Sequence, residues 1–167
     1  YLLEAYENCG SPAEFLILDS GGSDGSLIAS VNTSIAEHGL DWNTQVFDVS
    51  SGDIRHIGIR EEFGIVIAHE LLDDIPATIV EYDEFLTPRI VLVDPESGHE
   101  KMGEPLSGPE LDWLKIWWPA TVPRARREIG TTRDHTWIQL VNIFDTGRAI
   151  AIDYSHSLAQ RSQGLWD

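Results

Sequence analysis

The stretch HELLDDIP, residues 69–76, places ionisable side chains directly after an apolar run. His69, Glu70, Asp73 and Asp74 together could bind a cation or take up a proton. The stretch resembles the zinc motif H-E-x-x-H, but Asp73 replaces the second histidine, so no metal is expected. An alternative interpretation is a helix start that is capped by Asp73 or Asp74.

The loop DSGGSDG joins a strand-like run to a helix-like pattern. Its glycines let backbone N–H groups approach a ligand closely, although the spacing matches neither G-x-G-x-x-G nor a P-loop. Asp24 would repel a pyrophosphate but would tolerate a ligand with a positive centre and no phosphate, such as S-adenosyl-L-methionine (SAM). The candidate cofactor contacts in this loop are Asp19, Gly21, Gly22 and Gly25.

Asp48 lies near the end of a second predicted strand, Thr44 to Val49, and follows Gly25 by 23 positions. In nucleoside-binding α/β folds an acid near this place accepts hydrogen bonds from the ribose hydroxyls. The loop and Asp48 together therefore favour a nucleoside ligand. The alternative is that the loop is a plain tight turn between strand and helix.

Alternating strands and helices must position these residues. Phe15 to Asp19 and Phe63 to Ala68 are apolar runs of strand length, and Ser26 to His38 has the spacing of an amphipathic helix. This pattern predicts parallel strands, whose carboxyl ends meet at the edge where open α/β sheets bind ligands. The predicted fold class is α/β, a doubly wound, Rossmann-like sheet.

The alternation of strand and helix is interrupted after Pro76. ATIVEYDE and PRIVLVDP predict an antiparallel hairpin, and a Gly-, Pro- and Ser-rich loop over 96–109 follows. The tryptophan-rich segment LDWLKIWW is interpreted as an apolar patch that seals this insertion against the core or, alternatively, as the wall of a substrate cleft. We expect one domain over 1–167, incomplete at both ends, with an inserted subregion at 77–118.

The charge is strongly negative, with 28 acidic and 11 basic residues and a net charge of −17. Most of the excess lies in residues 1–118, which disfavours nucleic acid and favours a basic partner, unless the acidity serves only solubility. The single cysteine, Cys9, excludes an internal disulfide and fits a reducing compartment, so a cytoplasmic location is expected. No apolar run approaches the roughly 20 residues of a membrane span.

Four motifs together resemble the MidA-like SAM-dependent methyltransferases, relatives of the mitochondrial complex I assembly arginine methyltransferase. The motifs are LDSGGSDGSL, FDVS, AHELLDDIP and GRAIAIDYSH. The resemblance covers most of Phe15 to His156 and implies a class I methyltransferase sheet. Ser23, His69 and Ser155 stand where the family has glycine, asparagine and glycine.

The resemblance implies methyl transfer from SAM to a protein arginine. Glu70, and with it Asp73, would hold the guanidinium and accept its proton, while His69 would belong to the cofactor site. The candidate substrate contacts are Asp74, Tyr154 and His156. Two alternatives are a catalytically impaired SAM-binding module that docks a partner through the tryptophan-rich segment and a nicotinamide-dependent oxidoreductase, which the loop spacing disfavours.

Overall fold

The computed structural model describes residues 1–21, 24–47 and 62–154, and these residues form two compact units. The parallel unit comprises Tyr1–Ile75 and His135–Tyr154, and the described part of the antiparallel unit is Pro76–Asp134. None of the helices in these ranges is long and apolar enough to cross a bilayer. In chain order the elements are α1 (Leu2–Asn8), β1 (Leu16–Ser20), α2 (Ser26–Glu37), β2 (Asn43–Phe47), β3 (Phe63–His69), β4 (Thr78–Tyr82), β5 (Pro88–Val93), β6 (Glu100–Pro105), α3 (Gly108–Trp117), β7 (Arg126–Ile129), α4 (Thr131–Val141) and β8 (Thr146–Ile152).

The sheet of the parallel unit has the order β2-β1-β3-β8 among the described residues, and each neighbouring pair is parallel. This confirms the parallel arrangement that the apolar runs predict. β1 is buried along its whole length, and β3 is buried from Gly64 to Ala68, as expected for strands covered on both faces. In register, Asp19 faces Ile67 and His69 faces Ile152.

Alternate side chains of β1 and β3 enter two cores on opposite faces of this sheet. Ile17, Ile65 and Ile67 pack against α2 on one face. Leu18 and Val66 belong to the other core, which also contains apolar residues of α4 and of the segment after it. The two-residue period therefore determines which face of the sheet each polar residue near the strand ends occupies.

Gly64 of β3 permits a close approach between β3 and its surroundings. A Cβ atom at this position would lie 2.5 Å from Cε1 of Phe144 and would clash with the backbone oxygen of Leu16. Its partner in register on β8 is a second glycine, Gly147. Because neither glycine has a Cβ atom, β1, β3 and β8 can lie side by side beneath the Phe144 ring.

The described part of the antiparallel unit contains a sheet in the order β6-β5-β4-β7, and neighbouring strands are antiparallel. The predicted hairpin is confirmed as β4 and β5. The prediction of a loop over 96–109 is wrong for β6, a polar edge strand that pairs with β5 through its backbone and therefore lacks an apolar pattern. The unit extends beyond the predicted 77–118 to Asp134 because β7 pairs with β4.

The tryptophan-rich segment forms most of α3 and packs on the antiparallel sheet. Leu114 and Trp118 are buried in one core with Val80 of β4 and Ile129 of β7, whereas Trp117 is 55% exposed. These contacts place the segment in the core of the antiparallel unit, and its interpretation as a seal between the insertion and the core of the α/β domain stays a prediction. Its other interpretation, a cleft wall, stays a prediction.

Candidate functional site

Polar residues collect at the carboxyl edge of the parallel sheet. Asp19 lies near the end of β1, His69 is the last residue of β3, and Asp153 follows the last residue of β8. These three strands are neighbours and parallel, so their carboxyl ends lie at the same edge. Ligands of open α/β sheets bind at this edge, which makes it the candidate functional site.

Asp19 is a fully buried carboxylate at this edge. Neither carboxyl oxygen has a hydrogen-bond partner in the part of the chain that the structure describes. Burial raises the pKa of Asp19, and His69 acts in the opposite direction. Because a buried acid without a partner lowers stability, Asp19 is a candidate ligand-binding group.

The glycine loop lies close to the segment after β3. Gly21 has a φ of +103°, and a Cβ atom there would come within 3.1 Å of Cβ of Leu71. Gly25 has a φ of +69° and precedes α2. The Ser26 backbone N–H donates to Oδ1 of Asp24 at 2.9 Å, which lowers the pKa of Asp24. Gly21 and Gly25 thus have the left-handed backbone that glycine adopts without steric cost.

His69 lies on the same sheet face as Asp19, because the two-residue period places both on the side of Ile17 and Ile67. Its exposed side chain borders a cavity of about 620 Å³ between α2 and the ends of β3 and β8. The cavity is lined by Tyr1, Leu2, Ser26, Leu27, Ser30, Val31, Ile67, His69, Ile150 and Ile152. Apolar walls with a few polar groups are typical of small-molecule sites.

Glu70 has a backbone conformation that is uncommon for its residue type. Its φ is +47°, in the left-handed region, and its N–H donates to the Ile152 oxygen at 2.8 Å. Residues other than glycine occupy this region at a cost, and such residues concentrate at functional sites. The side chain of Glu70 is exposed and so is available to a ligand.

The segment after Glu70 is a turn, so the alternative interpretation as a helix start is wrong. The Asp153 carboxylate contacts this turn: its Oδ2 accepts hydrogen bonds from the backbone N–H of Leu72 at 2.8 Å and of Asp73 at 3.2 Å. Desolvation raises the pKa of Asp73, and the carboxylates of Asp153 and Asp74 raise it further. The turn therefore concentrates negative charge on its exposed side.

The structure brings together Asp19, Gly21, His69, Glu70 and Asp73, together with the adjacent Gly25 and Asp74, at the carboxyl edge. Tyr154 is 78% exposed directly after Asp153 and stays a predicted substrate contact. The predicted cofactor contacts Gly22 and Asp48 and the predicted substrate contact His156 lie outside the described residues.

Asp153 is the site residue that sequence reasoning misses. It stands directly after the apolar run RAIAI of the motif GRAIAIDYSH, so its position at a strand end was foreseeable, but its contact with a turn 80 positions earlier in the chain was not.

Residues 32–165 match the family described as "Putative S-adenosyl-L-methionine-dependent methyltransferase". The match covers most of the chain, so the chain belongs to this family. The family's cofactor is SAM, which confirms the cofactor prediction. None of the curated proteins matches the chain.

Two crystal structures from Burkholderia thailandensis share the fold. The first, a superfamily member bound to S-adenosyl-homocysteine, matches with a TM-score of 0.73 and 19% identity over 93% of this chain and 45% of its own. The second, an uncharacterized protein of the same superfamily, matches with a TM-score of 0.70 and 16% identity over 95% of this chain and 47% of its own. The likeness confirms the predicted α/β fold, and the chain spans less than half the length of either protein.

The described residues at the edge fit SAM. The buried Asp19 carboxylate without a partner suits a ligand that carries positive charge, and the left-handed backbone of Gly21 brings the loop close to the end of β3. The apolar cavity beside His69 adds a surface suited to a nucleoside.

Proposed function

We propose that this protein transfers a methyl group from SAM to an arginine side chain of a basic protein, and that it belongs to the MidA-like branch of its family. The observation that carries the proposal is the strained turn of Glu70 to Asp74, which presents carboxylates at the carboxyl edge beside the cofactor loop. The four motifs quoted above support the placement among MidA-like proteins.

A guanidinium is a demanding methyl acceptor because it is permanently protonated and its nitrogen lone pairs are delocalised. When bound, SAM supplies an electrophilic methyl group on a cationic sulfonium. Two cations must therefore be brought together, which requires negative charge next to the acceptor. Glu70 and Asp73 provide that charge at the exposed side of the turn.

In this mechanism the Glu70 carboxylate binds the guanidinium by paired hydrogen bonds and directs one nitrogen towards the methyl group. A nitrogen–carbon bond forms as the sulfur–carbon bond breaks, and the sulfur keeps the electron pair as a neutral thioether. The nitrogen that gains the methyl group loses one proton, and the Glu70 carboxylate accepts this proton. The product is a methylated guanidinium with a single positive charge. Asp73 stands next in the turn and contributes charge.

The acceptor is proposed to be a basic protein because the chain is acidic. Residues 1–118 carry 23 acidic and 5 basic side chains, whereas residues 119–167 carry 5 and 6. Such a field raises the encounter rate with a cationic partner. Asp74, Tyr154 and His156 are the proposed contacts of that partner.

Calorimetric titration of the full chain with SAM, and separately with NAD, tests the cofactor half of the proposal. We expect saturable binding of SAM and none of NAD. Binding of NAD in place of SAM would favour the oxidoreductase alternative and would overturn the proposal.

Methylation of the peptide acetyl-Gly-Gly-Arg-Gly-Gly-amide tests the acceptor half. Glu70→Gln should lower kcat by about 100- to 10,000-fold, as is typical of a lost general base, and should leave SAM binding intact. Glu62→Gln is the matched control, because Glu62 is an exposed glutamate at the opposite end of β3 and should keep full activity.

Two outcomes would contradict the proposed acceptor chemistry. Equal activity of the Glu70→Gln and Glu62→Gln variants would exclude Glu70 as the base. Tight SAM binding without methylation of the peptide by the unaltered chain would favour the alternative of a SAM-binding module that docks a partner.

A further inference from the structure

Asp153 is placed to control the turn that carries the proposed catalytic acids. It follows β8, which pairs with β3 along seven residues in register up to His69 and Ile152. The next residue of each strand leaves the regular ladder: Glu70 takes its left-handed φ, and Asp153 turns its carboxylate towards the segment after Glu70. The two strand ends are therefore connected by side-chain as well as backbone hydrogen bonds.

Three hydrogen bonds hold this turn to the end of β8. The Glu70 N–H donates to the Ile152 oxygen at 2.8 Å, and the N–H groups of Leu72 and Asp73 donate to Oδ2 of Asp153 at 2.8 and 3.2 Å. The second carboxyl oxygen, Oδ1, accepts from the N–H of Tyr154 at 2.7 Å. The two oxygens of this carboxylate thus accept hydrogen bonds from the turn after β3 and from the residue that follows Asp153.

The turn is also fixed from the cofactor side. Leu71 is buried in the same core as Leu18 and Val66, and its Cβ lies within 3.1 Å of the place where a Cβ on Gly21 would be. Leu71 lies between Glu70 and the two residues that Asp153 holds. A displacement of the turn would therefore move the proposed catalytic acids relative to the glycine loop.

We propose that Asp153 is a positioning residue for methyl transfer: its carboxylate holds the backbone of Leu72 and Asp73 and thereby fixes Glu70 and Asp73 against the cofactor loop. This inference rests on the proposed function of that turn. Asp153 does not bind the acceptor itself. The raised pKa of Asp73 agrees with it, because the Asp153 carboxylate is among its causes.

The test compares Asp153→Ala, Asp153→Asn and a control, Asp145→Ala, in the full chain. Asp145 is an exposed aspartate directly before β8, at the opposite end of that strand. Asn keeps one oxygen that can accept hydrogen bonds from the N–H groups of Leu72 and Asp73, but it loses the bond with the Tyr154 N–H. Ala loses the side-chain bonds with Leu72, Asp73 and Tyr154. Each variant is measured for SAM affinity by calorimetry and for kcat on the arginine peptide.

Asp153→Ala should lower kcat by about 100-fold, the size of effect expected from a small misplacement of catalytic groups, with the SAM dissociation constant changed by less than about twofold. Asp153→Asn should recover most of the lost kcat, to within about tenfold of the unaltered chain. Asp145→Ala should match the unaltered chain. Unchanged kcat in Asp153→Ala, or equal losses in the Ala and Asn variants, would overturn the proposal.

Amide hydrogen exchange, followed by NMR in the absence of SAM, provides a readout that does not depend on activity. The Leu72 and Asp73 amides should be protected in the unaltered chain and in Asp153→Asn, and should exchange at least about tenfold faster in Asp153→Ala. Equal protection in all variants would overturn the positioning role. An unaltered chain that methylates no peptide would overturn the proposed function, and the exchange rates would then decide alone whether Asp153 holds the turn.

Discussion

The parallel and antiparallel units differ in how their buried acids are partnered. Glu81, buried in the antiparallel unit, accepts a hydrogen bond from Nε of Arg126 at 2.9 Å and lies 3.6 Å from Nη1 of Arg124. Asp19, buried in the parallel unit, has no partner within the described residues. One buried carboxylate of the chain thus faces two arginines, whereas the other has no hydrogen-bond partner among the described residues.

The same contrast appears in the direction in which the pKa values of the acids are shifted. In the antiparallel unit, hydrogen bonds from Arg89 and Arg126 lower the pKa values of Asp83 and Glu100. At the carboxyl edge of the parallel unit, desolvation raises the pKa values of the buried Asp19 and of the exposed Asp73. Acids with arginine partners stabilise a sheet, while acids without them are available to a ligand, so the contrast separates the supporting part of the chain from the candidate site.

The largest effect on stability is expected from the partnered acid. Glu81→Gln keeps the shape but removes the charge that faces Arg126 and Arg124, and it should lower the free energy of unfolding by about 2 kcal/mol in urea titrations. Glu84→Gln is the control, because Glu84 is exposed and its ion pair with Arg124, at 3.5 Å, lies at the surface; it should change stability by less than about 0.5 kcal/mol. Equal effects of the two substitutions would contradict the claim that the arginine partners of Glu81 stabilise the antiparallel unit.

The unpartnered acid should show the opposite sign. Asp19→Asn removes a buried charge and should raise the free energy of unfolding at neutral pH by about 1 kcal/mol, while it weakens SAM binding in calorimetry. The gain should depend on pH. Because the folded-state pKa of Asp19 is raised, its contribution to stability is complete below the ordinary value of 3.8 and is lost as the pH rises through the folded-state pKa.

The gain from Asp19→Asn should therefore vanish when urea titrations are repeated below pH 3.8. A loss of stability at neutral pH would show that the Asp19 carboxylate is partnered in solution. It would contradict the contrast with Glu81 directly.

The smallest effect concerns the strain at Glu70. Glu70→Gly should be more stable than Glu70→Ala by roughly 0.5 kcal/mol, because glycine relieves the left-handed φ but loses more conformational entropy on folding. The same pair at Glu62, which is not among the residues of positive φ, should give the reverse order. Urea titrations of the four variants measure both differences. The same order at both positions would show that the Glu70 backbone is unstrained.

Local patterns predict most of the parallel unit. The apolar runs around Ile17 and Val66, the amphipathic spacing of α2 and the glycines that follow β1 are properties of neighbouring residues, so they are visible in the sequence. The edge strand β6 is missed because its residues are polar and its pairing with β5 depends on backbone groups. Parallel order itself follows from the strand–helix–strand alternation.

The candidate site divides in the same way. The sequence by itself determined which acids, glycines and histidine stand after which strands, because strand ends can be read from composition. The left-handed φ of Glu70, the isolation of Asp19 and the bonds from Leu72 to Asp153 were decided only by the tertiary structure. The bond between Leu72 and Asp153 joins residues 81 positions apart, and no local pattern contains information on a contact that exists only after β3 and β8 have paired.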